Sequence, residues 1–143
     1  EICACLVGSE MCIRDRAGTD YNRVNLLMAV IEKRLGMRMS DCDAYVNVAG
    51  GMRINEPALD LAIVAVILSS YRNRSLPGRF LIFGEVGLTG EVRAVSMAEQ
   101  RVFEAKKMGF QVCILPQVNK KVISIQGMKL IGISNIKELL EYI

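Results

Sequence analysis

The most constraining feature of the sequence is the run from Leu61 to Leu68, which is apolar on every side of a helix. A surface helix shows an apolar face and a polar one; a helix without a polar face must be covered all round. Any fold open to this chain therefore buries that helix. Pro57 marks its beginning, since proline suits the first helical position, and the helix is predicted to run from Ala58 to about Tyr71. At 143 residues and 52% hydrophobic content, one domain supplies enough chain to do the covering.

The segments on either side alternate between helix and strand signals. Val24, Leu27, Met28, Ile31 and Leu35 recur at helical spacing after Asp20, a suitable cap, and Gly36 suits the helix stop. Asp43–Ala49 alternates as a strand does, with Ala44, Val46 and Val48 on one face. Phe80–Phe83 is a short apolar run, Glu91–Val95 reads as a strand after a glycine-marked turn, and Gln111–Leu115 as a buried strand stopped by Pro116. Met97–Met108 is predicted to be a helix burying Val102, Ala105 and Met108. Val122–Ile125 and Lys129–Ile133 are strand candidates, and Ser134 would cap a last helix through Ile143. This order implies an α/β fold, or α+β with a mixed sheet.

Several chemistries are excluded at once. Histidine is absent, which removes the Ser-His-Asp triad, the Cys-His pair and the common zinc hydrolase sites. The five cysteines (Cys3, Cys5, Cys12, Cys42 and Cys113) form no C-x-x-C pair, so a metal site is disfavoured, and unpaired thiols fit a reducing cytoplasm. No apolar run approaches the ~18–20 residues of a membrane span. The net charge of +3 permits contact with nucleic acid without demanding it.

Candidate sites can then be weighed. Ala49-Gly50-Gly51 precedes the buried helix, where backbone N–H groups could hold phosphate, but Glu56 and Asp60 already answer the helix dipole. No G-x-x-x-x-G-K-[ST] loop occurs. Gly84, Gly87 and Gly90 suit a hairpin with tight turns better than a dinucleotide fingerprint. Ser–Lys hydrolysis needs no histidine and stays open, with Ser69, Ser70, Ser75, Ser96 and Thr89 as hydroxyl candidates, none in a recognisable nucleophile turn. Arg72, Arg74 and Arg79 form one basic group and Lys120-Lys121 another; as DNA contacts they would engage phosphates without reading sequence.

The first sixteen residues stand apart. Leu6–Arg16 shows neither period and resembles the in-frame translation of a transposase sequencing adapter, so residues 1–16 are set aside as artefact or disordered and 17–143 as the domain. Glu1–Ala4 reads as the stump of a real strand.

Four further segments carry a family resemblance: Asp20-Tyr-Asn-Arg-Val-Asn-Leu-Leu-Met-Ala-Val30, Tyr45-Val-Asn-Val-Ala-Gly-Gly51, Asn55-Glu-Pro-Ala-Leu-Asp-Leu-Ala62 and Phe83-Gly-Glu-Val-Gly-Leu-Thr-Gly-Glu-Val-Arg93. In this order they resemble the C-terminal domain of the RadA (Sms) family of bacterial DNA repair proteins, itself similar to the proteolytic domain of Lon protease. The resemblance implies a Lon-like fold of the ribosomal protein S5 domain 2 type, as a fragment of a longer protein. Lon-type peptidases carry a Ser in Gly-Pro-Ser-Ala-Gly and a Lys in the next helix. Here Ala58 takes the nucleophile position in Glu56-Pro57-Ala58-Leu59-Asp60, and Arg101 the lysine position. Alanine offers no nucleophile, and arginine stays protonated to about pH 12 and above. A carboxylate at Asp60, where that motif has glycine, would hold even a restored lysine charged.

What the resemblance implies is a catalytically inactive scaffold domain. It would support a hexameric ring that associates with single-stranded or branched DNA, with a RecA-type recombinase as partner, during branch migration in the cytoplasm. ATP, magnesium and zinc are expected only for N-terminal domains that this sequence lacks. Two alternatives remain: an active Ser–Lys peptidase of the Lon type, and a small-ligand or phosphopeptide module on the same fold.

Overall fold

The apolar run forms α2, Asp60–Tyr71, entered through a 3₁₀ turn at Pro57–Leu59. In the computed structural model, which describes residues 2–8, 21–48, 56–76 and 78–143, α2 is the element around which the others assemble. Leu61, Ile63, Val64, Ala65, Ile67 and Leu68 are all buried. They are covered by α1 (Tyr21–Leu35), by β1 (Ile2–Gly8), by the strands β3 (Phe80–Ile82) and β4 (Glu85–Val86), and by a C-terminal 3₁₀ helix at Ile136–Glu141. The all-round hydrophobicity of the run thus has its cause in cover from several directions.

A parallel sheet of order β3–β6–β7, with β6 at Val112–Pro116 and β7 at Lys129–Ile133, lies beside α2. Because successive strand residues point to opposite faces, β6 divides its side chains between two cores. Val112 and Ile114 join the cluster around α2; Cys113 and Leu115 join Phe83, Ala98, Val102 and Ala105 on the other face, beneath α3 (Ala98–Lys107). The result is helix, sheet, helix. The α/β class expected from the sequence is what the chain adopts, with its pairings divided: the parallel strands form one sheet, and β1 pairs with β2 (Cys42–Val48) and β4 with β5 (Val92–Arg93) as antiparallel ribbons.

The helix expected after Asp20 is α1, stopped by Gly36 in the left-handed region at φ +69°; Asp20 itself lies outside the described residues. The hairpin expected at the spaced glycines is β4–β5, closed by Gly87 N–H to Glu91 C=O at 2.9 Å.

Four expectations are corrected. Val122–Ile125 is not a strand. A parallel neighbour can be reached only if the chain returns to the other end of the sheet, and these residues make that return, burying Ile123 under α3. The return begins with α4, Gln117–Lys120, which sequence periodicity is too short to reveal. Met108 is 76% exposed, because the helix has ended at Lys107 and Gly109 turns the chain; Ala98 takes the buried place one turn before Val102. The last helix is a 3₁₀ helix that starts after Asn135 rather than Ser134. The Asn135 side chain accepts from Lys137 N–H at 3.1 Å, and the Glu138 carboxylate accepts from Asn135 N–H at 2.9 Å.

The fourth correction concerns the N-terminus. Residues 1–16 are set aside in the sequence reading, yet Ile2–Gly8 forms β1, in register from Ile2↔Val48 to Gly8↔Cys42. The strand runs through Cys5–Gly8, past the Glu1–Ala4 stump, since a backbone ladder bonds N–H to C=O whatever side chains stand there. The remainder of the segment that resembles an adapter, from Ser9, lies outside the described residues.

Candidate functional site

Ala58 sits where the chain leaving β3 crosses the entrance of α2. Gly84 donates its N–H to the Ala58 carbonyl at 2.8 Å, and its own carbonyl accepts from Leu61 N–H at 3.0 Å. A side chain here would crowd the approach. A Cβ on Gly84 would stand 3.1 Å from Leu61 Cδ2, 3.1 Å from Val92 Cγ1 and 3.3 Å from Pro116 Cγ. Ala58 is buried by the crossing, with no heteroatom on its side chain.

Arg101, on α3, reaches this entrance from the far side of the sheet. Its Nη2 donates to Glu56 Oε1 in an ion pair with both side chains about one-third exposed. α3 is aimed there by Met97, a non-glycine residue in the left-handed region at φ 57° that turns the chain into the helix. Glu56, two residues before Ala58, thereby links Arg101 to the entrance of α2, with its carboxylate on the guanidinium.

That carboxylate is Glu56, which corrects the expectation for Asp60. Asp60 is 1% exposed and turned the other way. It accepts from Arg23 Nε at 2.8 Å and from Arg23 Nη2, and from the backbone N–H of Val86 at 3.1 Å. One buried carboxylate thereby ties α1, α2 and the β4–β5 hairpin together. An acid inside an apolar helix signals that a donor must arrive from elsewhere, but spacing along the chain does not say which.

The remaining candidates separate. The Ser69 hydroxyl donates to the Arg74 carbonyl and the Thr89 hydroxyl to the Glu91 carboxylate. Glu91 also accepts from Thr89 N–H at 3.0 Å and from Arg93 Nε at 3.0 Å. These bonds, the Thr89 hydroxyl foremost, bring its carboxyl down from 4.5 to about 2. Burial pushes the Cys113 thiol up to about 12, so it behaves as a packed apolar group. Ser70 is half-buried, and Ser75 and Ser96 are exposed. Gly50-Gly51 lies outside the described residues. Among the described residues, no group of three His, Cys, Asp or Glu could hold a metal ion.

The five basic candidates do not share a surface. Arg72 donates through Nη1 to the carbonyls of Leu140 at 3.1 Å and Ile143 at 3.0 Å, tying the end of α2 to the C-terminal segment. Arg74 and Arg79 are exposed in the loop that leads into β3. Lys120 and Lys121 follow β6, whose strand runs parallel to β3, and so lie at the opposite end of the sheet from Arg79.

Comparison with known proteins gives these features a context. The chain is 50% identical over 129 residues to a protein of Halalkalibacterium halodurans named DNA repair protein RadA, covering 90% of this chain and 28% of that one. A protein of the same name from Bacillus subtilis is 50% identical over 128 residues, covering 89% of this chain and 28% of the relative. One from Listeria monocytogenes is 43% identical over 129 residues, with 90% and 28% covered. The chain thus spans a little over a quarter of the length of these curated relatives, 28% in each case. Residues 21–119, well over half of the sequence, match the family model described as subunit ChlI of Mg-chelatase, and the chain belongs to that family.

Proposed function

We propose that this chain is a catalytically inactive, Lon-like scaffold domain of a RadA-type DNA repair protein. The observation that carries the reading is the Arg101–Glu56 ion pair beside the buried Ala58. Ser–Lys hydrolysis needs a hydroxyl to attack and a neutral amine to take its proton. Ala58 supplies no hydroxyl, and a guanidinium already paired with a carboxylate supplies no base. The crossing of Gly84 bonds the chain after β3 to the same helix entrance through two backbone hydrogen bonds.

The RadA-named relatives support placing this joint in a DNA repair protein. In that longer protein the domain would stabilise a hexameric ring in the cytoplasm, associate with single-stranded or branched DNA, and work beside a RecA-type recombinase. ATP, magnesium and zinc belong to the longer protein in this reading. The sequence has no phosphate-binding loop of the P-loop type.

Casein hydrolysis and fluorophosphonate labelling test the inactive site. The natural chain should neither cleave nor label. The double variant Ala58→Ser/Arg101→Lys should also stay inactive, because Glu56 would hold the new lysine in its charged form. Labelling of the natural chain would sink the scaffold reading in favour of an active peptidase. Activity in the double variant would sink only the role given to Glu56.

A further inference from the structure

The β4–β5 ladder ends at Arg93, paired with Glu85, because the chain before Glu85 turns away at Gly84 to the entrance of α2. Val95 lies two residues beyond the ladder, and there a side chain takes the place of a strand. Asn119, in α4, accepts from Val95 N–H through Oδ1 at 2.9 Å and donates through Nδ2 to the Val95 carbonyl at 3.0 Å. A side-chain amide carries the same donor and acceptor as a peptide group, so one residue engages both polar groups of Val95. The element that carries Asn119 is itself seated on the sheet: the Gln117 and Lys120 side chains lie over Gly132 of β7, and Ile123 packs under α3.

From Val95 a short path leads to α2. Ser96 offers its carbonyl to Arg101 Nε at 3.4 Å, and the Met97 carbonyl accepts from Arg101 N–H at 3.1 Å. Glu56, just before Pro57, holds the guanidinium at Nη2. Between these two anchors Met97 is exposed and keeps a left-handed backbone at φ 57°. No burial of its side chain offsets that conformation, and a non-glycine residue keeps it only where the surroundings force it. The force comes from the ends of the linker, with Val95 fixed by Asn119 and Arg101 fixed by Glu56.

We infer that Asn119 is a strap that couples α4 to the entrance of α2: releasing Val95 lets the strained turn at Met97 relax and loosens Arg101 from Glu56. A displacement of α4, whose Val118 and Val122 side of the turn stands exposed, is thereby felt at the helix entrance that holds Ala58. The coupling runs both ways, since linkage between two sites is reciprocal, so loosening Glu56 also loosens Val95. The device stands apart from the scaffold reading, because nothing in it depends on hydrolysis or on DNA.

The test uses the full chain, isotope-labelled for NMR, and reads two separated signals: hydrogen exchange at the Val95 amide and the Arg101 Nε–H resonance. Asn119→Ala should speed Val95 exchange about tenfold, as for the loss of one hydrogen bond, and move the Arg101 resonance towards its position in Glu56→Gln. Glu56→Gln should in turn speed Val95 exchange by at least about twofold. Asn119→Asp keeps the acceptor for Val95 N–H and serves where Asn119→Ala does not fold; it should shift Arg101 in the same direction. With the turn relieved by Met97→Gly, the shift that Asn119→Ala causes at Arg101 should shrink. Ile125→Val trims the core under α3 away from the strap and should leave the Arg101 resonance in place. An Arg101 resonance that stays put in the Asn119 variants, or moves as far in Ile125→Val, would overturn the coupling. Val95 exchange indifferent to Asn119→Ala would overturn the strap itself, and an undiminished shift in the Met97→Gly background would overturn the part given to the strained turn.

Discussion

Removing the Asp60 carboxylate should be among the most damaging single changes available to this domain. The group is 1% exposed and serves three donors on two other elements. Asp60→Ala leaves the Val86 N–H unsatisfied in the interior, worth roughly 1–3 kcal/mol. Breaking a fully buried ion pair costs about 3–5 kcal/mol. The Arg23 side chain is 34% exposed, so water recovers part of its loss, and we expect a total near ~3 kcal/mol. With a urea m-value of about 2 kcal/mol/M, the unfolding midpoint should fall by about 1.5 M. Asp60→Asn retains the shape and one acceptor and should lose about 2 kcal/mol. A double-mutant cycle with Arg23→Ala separates the pair from its surroundings, and its coupling should exceed ~1 kcal/mol. A loss below about 1 kcal/mol for Asp60→Ala, or costs that simply add, would refute the claim that this carboxylate ties α1 and the hairpin to α2. The same reasoning means that glycine at Asp60 cannot be used to rebuild a peptidase without loosening the fold.

Two further perturbations probe the crossing and the hairpin. Gly84→Ala places a Cβ 3.1 Å from both Leu61 and Val92 side chains and should destabilise by roughly 1–3 kcal/mol in thermal or urea unfolding; an unchanged transition would show that the crossing is looser than described. Glu91, whose carboxyl is lowered from 4.5 to about 2 by the Thr89 hydroxyl first and by Arg93, contributes stability that is present above about pH 4.5 and lost as pH falls towards 2. The stability difference between the natural chain and Thr89→Val should therefore shrink across that window, and a difference independent of pH would contradict the assignment.

What the sequence determined by itself is local. The 3.6-residue recurrence of Val24, Leu27, Met28, Ile31 and Leu35 specifies α1, and the unbroken apolar run specifies a central α2, because helix period and burial follow from neighbours in the chain. Gly36, at φ +69°, stops α1, and Gly90, at φ +82°, turns the hairpin, for an equally local reason: the backbone there is left-handed. The tertiary structure decided what meets what. Glu56 finds Arg101 from 45 positions away and Asp60 finds Arg23 from 37, pairings set by how α1, α2 and α3 pack around one sheet. Val122–Ile125 has the composition of a strand, yet it becomes the return path because β7 must run parallel to β6. Spacing along the chain determines an element; only the topology of the sheet determines its neighbours.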